Sequence, residues 1–95
     1  MEILFHVSSR AGAQLLAPLA RACRRGGHRF GAFFTDEGVL GLDDAALLAA
    51  LGDARAVVCE ASWHRHRADA RCPVELGSQT VNSARVGEAR RVGSL

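Results

Sequence analysis

Short apolar runs and helix-capable stretches take turns along the whole of this chain, and that alternation restricts the fold more than any other feature. The runs are Glu2 to Val7, Arg29 to Phe34, Ala54 to Cys59, Pro73 to Leu76 and Arg91 to Leu95. The third contains Ala56-Val57-Val58-Cys59, which is apolar at every position. Continuous hydrophobicity marks a strand covered on both faces, as in parallel sheets. Between the runs, Leu15, Leu16, Leu19 and Cys23 repeat at helical spacing, and an Ala/Leu stretch ends at Gly52. Two more helices are expected, one from about Ser62 to Ala70 and one through Val81, Ala84 and Val86. Strand and helix in regular turn predict an α/β fold: a five-stranded, mainly parallel sheet with helices on both faces.

Local signals place the boundaries. Ser8-Ser9 can cap the first helix, Pro18 either kinks it or moves its start by a turn, and Gly26-Gly27 ends it. Arg21, Arg24 and Arg25 then read as a solvated helix end suited to the dipole. Asp36, Glu37 and Gly38 follow Thr35 in the turn after the second strand, where a ligand cleft would lie, and Asp43 is the expected cap of the next helix. Ile3, Phe5, Val7, Ala32, Phe34, Val57 and Leu76 are the expected sheet core.

At 95 residues the chain amounts to one domain, residues 1–95, with a modest core. Yet 48% of its residues are hydrophobic and 23% charged, so part of its apolar surface is expected to be buried between subunits. No run approaches the ~20 apolar residues of a spanning helix, and no secretion signal is visible, which predicts a cytoplasmic protein without membrane contact. A formal charge of +2 gives no reason to expect nucleic-acid binding. All 12 basic residues are arginine; the absence of lysine removes Schiff-base chemistry and the usual P-loop. No cofactor is called for. Three cysteines, an odd number, argue against a disulfide framework.

The chemistry concentrates at Cys59. A thiol at the carboxyl end of a parallel strand sits where open α/β sheets place their crevice. Ser62 can cap the helix that follows, whose N–H groups and dipole favour a thiolate. The same cysteine also reads as a small packed hydrophobe. Cys23 lies on an apolar helix face, and Cys72 precedes Pro73 in a loop. His64 and Arg65 could support a thiolate by imidazole or charge, as could His66 and Arg67, while Glu60 opposes it. The Cys59, His64, His66 and Cys72 spacing does not match zinc patterns, and no metal site is expected. Trp63 is read as core.

Three segments resemble the DsrE/TusD-like (DsrE/DsrF/DsrH) sulfur-relay family. They are Phe33-Phe34-Thr35-Asp36-Glu37-Gly38-Val39, then Val58-Cys59-Glu60-Ala61-Ser62-Trp63-His64-Arg65-His66, and the tail from Glu75-Leu76-Gly77-Ser78 through Val86 to Arg91-Val92; Gly27-His28 fits as well. The resemblance implies a DsrE-like, flavodoxin-like three-layer domain assembled as a homo-oligomer, a trimer or hexamer. It also implies a sulfur carrier or sulfurtransferase that holds a persulfide on Cys59, between sulfur donor and acceptor proteins. This chain departs in having only Leu40 to Asp53 between strands two and three, and His66-Arg67 where the family commonly has Gly. Two other functions compete: a non-catalytic assembly subunit, and a small anion- or ligand-binding module of the same fold.

Overall fold

In the computed structural model, which describes residues 2–78 and 87–95, five strands form one sheet in the order β4-β3-β2-β1-β5, and every neighbouring pair is parallel. The strands are β1 (Ile3–Val7), β2 (Phe30–Phe34), β3 (Arg55–Cys59), β4 (Glu75–Gly77) and β5 (Arg91–Ser94). The helices are α1 (Arg10–Arg25), α2 (Ala45–Leu51) and α3 (Glu60–Arg67), with a 3₁₀ segment, Asp36–Asp43, leading into α2. The α/β class and the parallel sheet read from the sequence are the ones observed. The expected helix through Val81, Ala84 and Val86 lies outside the described residues.

Register explains why β2 and β3 are apolar throughout. Phe5, Ala32, Phe34, Ala56 and Val58 point to the face where α1 and α2 pack, with Ala13, Leu16, Ala20, Leu47 and Leu51 closing one cluster. Trp63 of α3 joins the same cluster, and its indole N–H donates to the Ala70 carbonyl at 2.8 Å. Leu4, Phe33 and Val57 occupy the other face and are fully buried as well. A strand buried on both sides admits no polar alternation.

Several boundaries differ from the sequence reading, each for a local reason. Helix α1 runs unbroken across Pro18 from an N-cap at Ser9, whose hydroxyl accepts the Gly12 N–H at 2.9 Å. Its buried stripe is Gly12, Ala13, Leu16, Ala17, Ala20 and Cys23; Leu15 and Leu19 turn outward. The close-packed side is therefore built of small residues, which let the helix approach the sheet. The cap of α2 is Asp44, accepting from the Ala46 N–H, while Asp43 closes the 3₁₀ segment. Helix α3 begins at Glu60, so Cys59 itself is the N-cap and Ser62 sits within the first turn. Ile3 is only half-buried, and Leu76, expected in the core, is 42% exposed because β4 is an edge strand of three residues.

Candidate functional site

The thiol of Cys59 lies at the last position of β3, opposite Gly77 of β4. Strand order advances in one direction from β1 to β4 and then jumps to β5 at the far edge, so the sheet carries a reversal of topology. Open parallel sheets gather ligands at the carboxyl ends of their strands, the end at which Cys59 stands.

Parallel register brings a second side chain to the thiol. Phe34 pairs with Val58, so Thr35, one residue further along, lies level with Cys59. Its own N–H donates to the Val7 carbonyl at 2.9 Å, which ties the end of β2 to the end of β1. Gly38 continues that seam: a Cβ there would overlap the Val7 carbonyl and press on Ser8, so the turn closes only on glycine.

Ser62 completes the cluster from α3. Its hydroxyl oxygen accepts the Asp36 N–H at 2.9 Å and an Arg65 N–H at 3.1 Å. Both lone pairs are then engaged, and the Ser62 proton is left to donate toward Thr35 Oγ1, at 3.2 Å, or toward the Cys59 sulfur. Whichever it takes, a hydroxyl proton remains to be aimed at the sulfur, from Ser62 directly or from Thr35. Thr35 and Ser62 are the buried polar side chains among the described residues, and they meet each other at the strand end that carries this thiol.

Electrostatics separates the three cysteines. Burial pushes the Cys59 thiol up, but hydrogen bonds from the Ser62 hydroxyl and N–H, the Thr35 hydroxyl and the Ala61 N–H outweigh it, and its pKa falls below the ordinary cysteine value. Those N–H groups are unpaired donors of the first turn of α3, which suit an anion. Cys23 is pushed up by burial and then by the nearby Glu2 carboxylate, and Cys72 by burial. The Cys59 sulfur has little access to solvent: the residue is 7% exposed and packs against Phe33 and Val57.

Of the residues singled out in the sequence, Arg65 and Asp36 come together at the Ser62 hydroxyl, with Arg65 also 3.7 Å from the Asp36 carboxylate. His64 does not join them; it points outward and lies 3.8 Å from Glu60 at helical i,i+4 spacing. Arg67 turns to the 3₁₀ segment, donating to the Leu40 carbonyl at 3.0 Å and pairing with Asp43 at 3.1 Å. Glu37 is exposed, while Gly38 is buried under the turn. Thr35 escapes the sequence reading as a site residue, although its position one past the end of β2 is the signal that places it level with the strand-end cysteine. Among the described residues no group of three or more His, Cys, Asp or Glu side chains is placed to hold a metal ion, and no helix is long and apolar enough to cross a membrane.

Comparison with protein-family models, with curated proteins and with solved structures finds no match to this chain.

Proposed function

We propose that the chain is a sulfur carrier of the sulfurtransferase type, relaying sulfane sulfur as a persulfide on Cys59. The observation that carries the reading is that Cys59 alone of the three cysteines ends a strand and caps a helix, with the buried Thr35–Ser62 hydroxyl pair at that same strand end. A thiolate is the reactive form of cysteine, and donors of this kind raise its population near neutral pH. In the proposed step the Cys59 thiolate attacks the outer sulfur of a donor persulfide, R–S–SH. The donor S–S bond breaks as the new one forms, R–S⁻ departs, and Cys59 is left as Cys59–S–SH. Loss of the outer proton to solvent gives an anion held by the same donors, and an acceptor thiolate removes the sulfur by the same exchange. The DsrE/TusD-like motifs around Phe33 to Val39 and Val58 to His66 support this reading, which also requires a cytoplasmic setting that keeps free thiols reduced.

Self-association belongs to the same proposal. Leu15, Leu19, Leu76 and Val92 are large apolar side chains left between 38% and 56% exposed. A trimer or hexamer would cover part of them, and light scattering at micromolar concentration tests it, a monomer being the contrary result.

A second reading, an assembly subunit in which Cys59 only packs, draws on the small exposure of that residue and its contact with Phe33 and Val57. Mass spectrometry after incubation with thiosulfate and a rhodanese separates the two. A single added sulfur atom mapping to Cys59, absent from Cys59→Ser, is the expected result. No adduct with an active donor system favours the assembly subunit.

A further inference from the structure

A cavity lies away from the thiol, at the amino ends of β2 and β3, where Phe30 and Arg55 begin those strands. Its volume is about 330 Å³, and its wall includes Arg24, His28, Arg29, Phe30, Asp53 and Arg55. The cations come from three separate stretches: the last turn of α1, the loop before β2 and the start of β3. A single solvated helix end would not produce that convergence.

Arg24 is already fixed. Its Nε donates to the Ala50 carbonyl at 3.1 Å and one Nη to the Leu51 carbonyl, so it caps the last turn of α2, and its guanidinium lies 5.7 Å from the centre of the Phe30 ring. The Arg24 route exists because Gly52, at φ +54°, has no side chain to block it. These bonds satisfy the carbonyl end of α2, which would otherwise repel an anion. The acids nearby are few and weakly engaged. Asp53 is almost fully exposed and 3.5 Å from Arg24, Glu75 is 3.5 Å from Arg55, and Glu2 is taken up by His28 at 2.8 Å. Three arginines therefore line one open volume, with Asp53 the single acidic residue in its wall.

We propose that this cavity binds a small multivalent phosphate anion, a pyrophosphate or phosphate monoester. Arg29 and Arg55 supply the adaptable guanidinium contacts, and Arg24 forms a preset cationic wall over Phe30. Guanidinium forks match phosphate oxygens in pairs. Bound anion would relieve the mutual repulsion of the arginines. The site is independent of Cys59 chemistry.

The test is titration of the intact protein with sodium pyrophosphate, and separately with a phosphate monoester, at low ionic strength. Calorimetry is read beside amide shift mapping. Saturable binding at about 1 mM or tighter is expected for at least one of them, with shifts at His28 to Phe30 and Asp53 to Arg55. The double substitution Arg29→Ala, Arg55→Ala should weaken it about tenfold or more, with circular dichroism unchanged. Cys59→Ser should bind as the wild type does. Affinity should fall as salt rises. Absence of saturable binding by both anions overturns the proposal. So does a folded double variant of wild-type affinity, or shifts confined to other residues of the wild type.

Discussion

Strand β3 begins at Arg55 and ends at Cys59, and its two ends solve opposite electrostatic problems. At the carboxyl end, β3 hands the chain to the N-terminus of α3, where Cys59 is the N-cap and the hydrogen-bonded Thr35 and Ser62 hydroxyls are buried. At the amino end, α1 and α2 terminate, leaving carbonyls that Arg24 must cover and cations that line an open cavity. A parallel sheet makes this division unavoidable, because every βα unit presents helix N-termini at one end and helix C-termini at the other. The carboxyl end is suited to hold an anion of the protein's own; the amino end collects cations.

The comparison breaks most sharply at Cys59. Cys59→Ser should abolish persulfide formation and fast alkylation while Cys23 and Cys72 remain slow, read by peptide mass spectrometry after iodoacetamide. Small reagents should far outpace bulky aromatic disulfides, since the residue is almost wholly buried.

Gly38→Ala tests how tightly the carboxyl end is closed. The added methyl meets the Val7 carbonyl, and a loss of about 1–3 kcal/mol in stability is expected from urea unfolding. An unchanged midpoint would show that the turn can shift away from β1 without cost.

Arg24→Met probes the other end. The Ala50 carbonyl loses this donor and the Leu51 carbonyl keeps only the Ala54 N–H, so about 1–2 kcal/mol of stability should go, with the alkylation rate of Cys59 unchanged. A change in thiol reactivity would show that the two ends are coupled.

Thr35→Val keeps the shape and removes one hydroxyl. The pH at which Cys59 becomes reactive should move upward, and its alkylation at neutral pH should slow by up to about tenfold, whereas Thr35→Ser should restore it. The sign for stability follows from the direction of the shift. Because the folded thiol is more acidic than the unfolded one, its stabilisation is complete above the unfolded value and is lost as pH falls through the folded one. Thr35→Val should therefore shrink the gain in stability seen on going from neutral to alkaline pH. His64→Ala, an exposed change outside both clusters, should alter stability by less than about 0.5 kcal/mol and leave reactivity as it was.

Much of this architecture is legible in the residues alone. Buried parallel strands announce themselves as unbroken apolar runs, so β2, β3 and the βα order follow from Phe33-Phe34 and Val57-Val58 directly. Cys59 at a strand end is equally readable. Periodicity along α1 is less informative, because Leu15 and Leu19 repeat as regularly as the buried Leu16 and Cys23, and only packing distinguishes the two faces. Arg24 reads as a solvated helix end, yet its partners, Ala50 and Leu51, lie in another helix.

What the chain's order of residues determined alone is local: strand length, helix caps such as Ser9, the glycine turns and the identity of the strand-end thiol. Each depends on neighbours a few positions away, and short-range sterics and hydrogen bonding decide it. Tertiary structure alone decided that Thr35 and Ser62, 27 positions apart, share one buried hydrogen bond beside Cys59. It also decided that His64 stays outside that cluster and that Arg24, Arg29 and Arg55 line one cavity. Such meetings depend on sheet register and on which helix face packs inward, quantities that emerge only when distant segments close against one another.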